Sequence, residues 1–200
     1  MRTSSNIFIF ACMLGVLCVF FLLRLLQYFG SRPIKKSEPT PPPLWETDFD
    51  DIWSIDDKND FLIALGSWLS KKSNYGEHPE RFSNAEKTIY IIYQLEAEVN
   101  NGGFDQFLFN SSGDFANETA AALRSIGAEQ AAAICDRAFS AFAQPIPEDR
   151  TEREAFLDDA ITDEIDDILS QCATDFYAYP DNLTELCYDF VMTHREQFTR

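Results

Sequence analysis

The chain has 200 residues, of which 46% are hydrophobic and 24% charged, enough for one folded domain with additional segments. Its formal net charge is −17, and after residue 43 it has 11 basic against 32 acidic residues, a difference of −21. A body this acidic repels nucleic acid and attracts basic macromolecules. We therefore expect no direct binding to DNA or RNA. The expected partner is a basic protein.

Residues 7–29 form a long apolar run and predict a transmembrane helix behind a short tail, residues 1–6. Arg24 is the only charged residue in the run, and about 20 helical residues span the hydrocarbon core of a bilayer, roughly 30 Å. A cleavable signal peptide is the alternative, but it requires a shorter run followed by a small-residue cleavage motif. We therefore expect an uncleaved anchor.

The basic residues around this run predict its orientation. Four of them lie between residues 24 and 36, whereas only Arg2 precedes the run. The positive-inside rule then predicts a single-pass protein of the bacterial inner membrane with its C-terminal domain in the cytoplasm. Residues 30–44 contain five prolines and predict an extended linker between the anchor and the domain.

Residues 45–200 are predicted to form an acidic, all-α domain of seven or eight short helices. Apolar residues recur there at helical spacing, and no period-two run indicates a strand. A short helix is expected around Phe49. A second helix is expected to begin near Asp57 or Asp60, because aspartate is favoured at the N-terminus of a helix.

The central helix of the domain begins at Ser83, because Glu86 follows at the spacing of a capping box. Residues 88–93 are apolar on every side, which is typical of a helix buried all round. The helix is expected to end at residues 100–103, because Asn and Gly tolerate the left-handed backbone that ends helices. A short second helix that begins near Phe104 should turn back and pack on the first.

Four further helices are expected in the C-terminal half. The first is capped by Asp114 or Asn117 and ends at Gly127, and the next covers residues 128–142. Thr151 opens a continuous helix through a second capping box, and the last helix begins at Asp181. The continuous helix has an apolar stripe that faces inward, formed by Leu157, Ile161, Ile165, Ile168 and Cys172.

Residues 98–113 form a long motif rich in Asn, Gly and Phe. The motif residues are Glu98, Asn100, Asn101, Gly102, Gly103, Phe104, Gln106, Phe107, Asn110 and Gly113. The motif resembles the signature of a bacterial family named after acidic DNA-mimic proteins, whose namesake blocks a transcription factor by imitating DNA. The resemblance extends from about residue 45 to residue 198. It implies an all-helical fold and, as the target, a basic DNA-binding surface.

Ten acidic residues lie between residues 148 and 167 and predict a protein-binding surface on the continuous helix. Acidic residues three or four positions apart on this helix would project outward about 5–6 Å from one another, near the spacing of phosphates along a DNA strand. A solvated helix face and a cation-binding site are the alternatives, and a second acidic cluster between residues 46 and 60 would extend the surface. The residues assigned to the surface are Asp158, Asp159, Asp163, Asp166 and Asp167.

The motif itself is interpreted as structural. Glu98 lies near the end of the central helix, where the helix dipole disfavours an anion. We expect its carboxylate to accept hydrogen bonds from backbone N–H groups at the start of the Phe104 helix, or to pair with Arg124. Nearby polar side chains should satisfy backbone groups at the reversal. These side chains are Asn100, Asn101, Gln106 and Asn110.

An enzymatic alternative makes Glu96, Glu98 and Asp105 the acid–base cluster of a hydrolase. No nucleophile, histidine or phosphate-binding loop accompanies them in the sequence, so we predict that the chain is not an enzyme and has no catalytic residues. An immunity-type protein that neutralises a toxin is the remaining alternative.

The cysteines and histidines predict neither a metal site nor a cofactor. Cys135, Cys172 and Cys187 lie among apolar residues on predicted helices, which favours buried, reduced thiols. No Cys-x-x-Cys motif is present, and His78 and His194 are isolated in the sequence.

Overall fold

A computed structural model describes residues 43–200. The predicted tail and anchor, residues 1–6 and 7–29, lie outside these residues, as does nearly all of the predicted linker, residues 30–44. Among the residues that the structure describes, no helix combines the length and the apolar character needed to cross a membrane.

Residues 43–200 contain eight α-helices and no β-strand, which confirms the prediction of an all-α domain with seven or eight helices. The helices are α1 (Phe49–Ile52), α2 (Lys58–Lys72), α3 (Asn84–Phe109), α4 (Ala116–Ser125), α5 (Glu129–Ser140), α6 (Arg150–Ala160), α7 (Asp163–Tyr177) and α8 (Leu183–Thr193). Short 3-10 turns occur at Leu44–Glu46, Pro79–Arg81, Ser111–Phe115 and Arg195–Gln197.

Helix α3 is the centre of the domain and packs against α2, α4, α6, α7 and α8. It begins as predicted, because Ser83 Oγ accepts from the backbone N–H of Glu86 at 3.1 Å and the Glu86 carboxylate accepts from Ser83 N at 2.9 Å. Asp57 caps α2 in the same way, accepting from Asp60 N at 2.9 Å. Such caps satisfy N–H groups that have no partner within the helix, and each contributes about 1 kcal/mol.

The predicted break at the end of the central helix is also confirmed. Gly102 and Gly103 have non-helical backbone angles, and Gly103 has a φ of +75° with a ψ of −172°, a region that is nearly restricted to glycine. The bend is sharp enough to bring the side chains of Glu98 and Asn110 together, and a hydrogen bond of 2.8 Å joins them. In a straight helix these residues would lie about 18 Å apart along the axis.

Helix α4 ends as the sequence predicts, at a glycine in the left-handed conformation. Gly127 has a φ of +84°, and Ala128 N donates to Leu123 O at 2.9 Å, which is the pattern of a Schellman motif. The next helix, predicted over residues 128–142, covers Glu129–Ser140.

The prediction of one continuous helix after Thr151 is wrong, because two helices, α6 and α7, meet at residues 161–162. The Thr162 hydroxyl accepts from Ile165 N at 3.3 Å and starts α7. Ile161 is 37% exposed and does not face inward. The predicted capping box is also absent, since Asp149, which accepts from Glu152 N at 3.0 Å, caps α6.

Three other predicted caps have different roles. The side chain of Asp114 pairs with Arg153, and that of Asn117 donates to the backbone oxygen of Ile146 at 2.9 Å, so neither caps α4. The last helix is capped by Asn182 rather than by Asp181. The Asp181 carboxylate instead accepts from two N–H groups in the first turn of α5, at 2.8 Å each.

The core is rich in aromatic and aliphatic side chains from all the longer helices. Phe104 and Phe107 of α3 are fully buried and lie with their ring centroids 5.9 Å from that of Phe139. Burial of one such side chain stabilises the fold by roughly 1.5–3 kcal/mol. The three cysteines of the described residues are buried free thiols, as predicted.

Candidate functional site

The five predicted surface residues all lie close to the junction between α6 and α7. Asp158 and Asp159 lie at the end of α6, and Asp163, Asp166 and Asp167 lie in the first turns of α7. All five side chains are exposed. We call these five aspartates the acidic elbow.

None of the acidic-elbow carboxylates forms an ion pair or a side-chain hydrogen bond with residues 43–200. The expectation of one helical row is wrong, because the break separates Asp159 from Asp163. The first turn of α7 also favours anions, since the positive end of the helix dipole lies there. The carboxylates at the start of α7 are therefore less costly than a row within one helix would be.

The basic side chains of the described residues are all engaged elsewhere. Eight of the eleven lysines and arginines form ion pairs. The other three contact backbone oxygens or a ring: Lys71 donates to Trp45 O, Arg81 donates to Lys72 O, and Arg195 lies over the Trp53 ring. The positive charge of the domain is thus committed internally and does not neutralise the acidic elbow.

Arg153 attaches α6 to the rest of the domain. Its side chain has no exposed surface, and its guanidinium forms an ion pair of 2.6 Å with the Asp114 carboxylate. It also donates to four backbone oxygens at 2.7–3.0 Å. These oxygens belong to Leu108, Asn110, Pro147 and Glu148. Two of them lie at the end of α3, where carbonyl groups have no helical partner.

Gly113 makes room for this arginine. A Cβ atom at Gly113 would lie 2.6 Å from Arg153 Nε and 2.5 Å from Leu108 O, closer than any real contact. Sequence reasoning did not identify Arg153 as a site residue. Its position four residues before the buried Leu157 was a usable signal, because residues four apart lie on the same helix face.

The motif carboxylate, Glu98, binds side-chain amides. Its Oε2 atom accepts from Gln106 Nε2 at 2.5 Å and from Asn110 Nδ2 at 2.8 Å. The expected partners were backbone N–H groups or Arg124, and Arg124 instead pairs with Asp136. The break explains the difference, because it brings residues eight and twelve positions later beside Glu98.

The other polar residues of the motif are also arranged differently from the expectation. Asn100 donates to the Tyr179 hydroxyl at 2.6 Å rather than to a backbone group. Asn101 is exposed. A Cβ atom at Gly102 would lie 2.3 Å from the Gln106 side chain, so this glycine allows Gln106 to reach back toward Glu98. The motif residues therefore hold the bend of α3 together.

The structure does not bring Glu96, Glu98 and Asp105 into one cluster. Glu96 lines a cavity of about 320 Å³ between α2, α3 and α8. Asp105 lines a separate groove of about 480 Å³, together with Phe109 and Ile161. Burial raises the pKa of Glu96 to about 7. Burial, and secondly the Asp166 carboxylate, raise the pKa of Asp105.

The second acidic cluster, between residues 46 and 60, is partly used within the fold. Asp57 caps α2, and Asp50 pairs with Arg200. Helix α1 packs against α2, whereas α6 packs against α3 and the 3-10 turn that follows it.

Among residues 43–200, no group of three metal-ligating side chains is arranged to hold a metal ion.

A family model described as DMP19-like protein matches residues 80–194. The matched segment begins just before α3 and ends just after α8, so it contains the motif, Arg153 and the acidic elbow. Comparisons with curated proteins and with solved structures found no match.

Proposed function

The chain belongs to the DMP19-like protein family, a family of DNA mimics, and we propose that it binds a basic DNA-binding protein through the acidic elbow. In this proposal the aspartates occupy the surface that the partner uses for DNA. The partner is then prevented from binding DNA for as long as the complex persists.

The observation that carries the proposal is that no basic side chain within residues 43–200 neutralises the acidic elbow. Five exposed carboxylates lie on two helices that meet at one junction, and all the basic residues of the domain are engaged elsewhere. A concentrated negative field accelerates association with a positive surface and discriminates against acidic proteins. DNA presents the same kind of field through its phosphates.

The proposal is tested first by crosslinking the full chain in cells and identifying the protein attached to it. Binding of that protein is then measured at low and high salt, with and without a DNA duplex that it recognises. We expect the affinity to fall with salt, and DNA and the chain to compete for one surface. A partner that binds the chain and DNA at the same time contradicts mimicry.

A matched pair of variants separates the acidic elbow from net charge. The elbow variant combines Asp159→Asn, Asp163→Asn and Asp166→Asn. The control combines three exposed acids elsewhere, Asp56→Asn, Asp189→Asn and Glu196→Gln, and removes the same charge. Three exposed charge contacts of about 0.5 kcal/mol each, or about 1.5 kcal/mol in total, predict roughly tenfold weaker binding for the elbow variant. Equal losses in both variants contradict the assignment of the surface, provided that both melt like the original chain.

We also propose that residues 7–29 tether the domain to a membrane, with the domain in the cytoplasm. The support is the long apolar run, in which Arg24 is the only charged residue, and the basic residues that follow it. Extraction of bacterial membranes with alkaline carbonate should leave the chain in the pellet. Protease added outside spheroplasts should leave the domain intact, and cleavage under those conditions contradicts the orientation.

A further inference from the structure

We propose that the cavity beside Glu96 is a binding site for a guanidinium group on an aliphatic stem, as in an arginine side chain. This cavity lies outside the acidic elbow, and the proposal does not depend on the elbow's function. The cavity has a volume of about 320 Å³ and is lined by residues of α2, α3 and α8 and by Tyr179 of the α7–α8 loop.

Glu96 is the reason to expect a cation. It is the only charged residue that lines the cavity, and no hydrogen bond or ion pair joins its carboxylate to residues 43–200. Glu86 and Glu98, which are also buried or partly buried, do have such partners: Glu86 pairs with Lys72, and Glu98 accepts from two side-chain amides. A partly buried carboxylate is less well solvated than an exposed one, and a cation bound beside it stabilises its charged form.

The walls of the cavity favour a flat cation with an aliphatic stem. Two aromatic residues, Tyr93 and Tyr179, line it together with the apolar residues Leu62 and Ile63. Aromatic faces attract cations, and a guanidinium is planar, weakly hydrated and able to stack on them. A divalent metal ion is less suited, because a single carboxylate supplies little of the charge that such ions require.

Tyr179 has an unfavourable backbone conformation, and a hydrogen bond holds its hydroxyl group in place. Its φ is +46°, which is uncommon for a residue other than glycine, and its hydroxyl accepts from Asn100 Nδ2 at 2.6 Å. Asn100, Asn59 and Thr184 also line the cavity, and each has a side-chain oxygen that can accept a hydrogen bond. A guanidinium has five N–H donors and can use several acceptors at once.

The remaining titratable groups near Glu96 do not supply the missing positive charge. They are the phenols of Tyr93 and Tyr179 and the buried thiol of Cys187, whose pKa burial and, secondly, Glu96 raise. Lys58 on α2 and Glu185 on α8 lie next to lining residues in the sequence, but they pair with each other.

The test is calorimetric titration of the full chain with ethylguanidinium, with n-butylammonium and with a short peptide that contains one arginine. We expect saturable binding of ethylguanidinium or of the arginine peptide, at least about tenfold tighter than binding of n-butylammonium. Binding of ethylguanidinium indicates that a free guanidine suffices, and binding of the peptide alone indicates a protein source. No saturable binding of either, or equal binding of the ammonium compound, overturns the proposal.

Glu96→Gln is the decisive variant, and Asp56→Asn is the matched control, because it removes one exposed negative charge elsewhere. We expect Glu96→Gln to weaken binding about tenfold or more and the control to leave it unchanged. A second measurement uses the original chain alone. Because Glu96 titrates near pH 7, guanidinium binding at that pH should release a fraction of a proton, seen as a buffer-dependent heat. Binding without proton release, or unaffected by Glu96→Gln, overturns the proposal.

Discussion

Because Arg153 attaches α6 to the rest of the domain, we expect the variant Arg153→Met to be less stable, by an amount that can be calculated from its contacts. Methionine retains most of the apolar stem but removes five hydrogen bonds from a side chain with no exposed surface. The backbone oxygen of Leu108 loses its donor, that of Asn110 keeps only the N–H of Gly113, and Asp114 loses its counterion. Breaking a buried ion pair by removing one partner costs about 3–5 kcal/mol.

The lower end of that range applies here, because the Asp114 side chain is 35% exposed and water partly replaces the arginine. We therefore expect the free energy of unfolding to fall by about 3 kcal/mol. For a chain of this size the melting temperature should fall by roughly 6–12 °C. The measurement is urea and thermal unfolding followed by far-UV circular dichroism.

Arg150→Met is the control, because Arg150 lies on the same helix and pairs with Glu154 at the surface. An exposed pair of this type contributes about 0.3–0.5 kcal/mol. Losses that agree within about 0.5 kcal/mol for the two variants would refute the reasoning. They would show that the carbonyl groups find water as readily as they find the guanidinium.

Three further predictions concern single residues. Gly113→Ala should destabilise the domain by about 2–3 kcal/mol in urea unfolding, because its Cβ meets the backbone oxygen of Leu108 at 2.5 Å; an unchanged midpoint contradicts the close packing. Burial raises the pKa of Glu96 from 4.5 to about 7 in the folded state, so the unfolded state loses this proton at a lower pH. The free energy of unfolding should therefore fall as the pH rises from 4.5 to about 7. Glu96→Gln should remove this fall and stabilise the domain by about 2 kcal/mol at pH 8, allowing for partial solvation, whereas parallel pH profiles contradict it. Asp181→Ala should cost about 1 kcal/mol through loss of the cap on α5, and the exposed Asp189→Ala should cost less.

Features that depend on neighbouring residues could be predicted from the sequence. The capping box at Ser83, the break at Gly102–Gly103 and the C-terminal glycine at residue 127 each follow from the conformations that a few adjacent residues prefer. The sequence also indicates the acidic surface, because its aspartates are concentrated in one segment.

Features that depend on distant contacts could not be predicted in this way. Arginine is usually exposed, and the partners of Arg153 lie up to 45 residues away. Asp181 resembles a local cap but serves a helix about 50 residues earlier. The apolar stripe from Leu157 to Cys172 continues at helical spacing across the break, so periodicity alone did not reveal that Thr162 starts a new helix.

Helix α6 has two buried residues, Arg153 and Leu157, whereas α7 has four. Segments with few buried contacts open locally at a lower free energy than the core. Hydrogen exchange should therefore be faster in α6 than in α7. Local opening of α6 would move Asp158 and Asp159 relative to the three aspartates of α7, so the spacing of the acidic-elbow carboxylates depends on how firmly Arg153 holds α6.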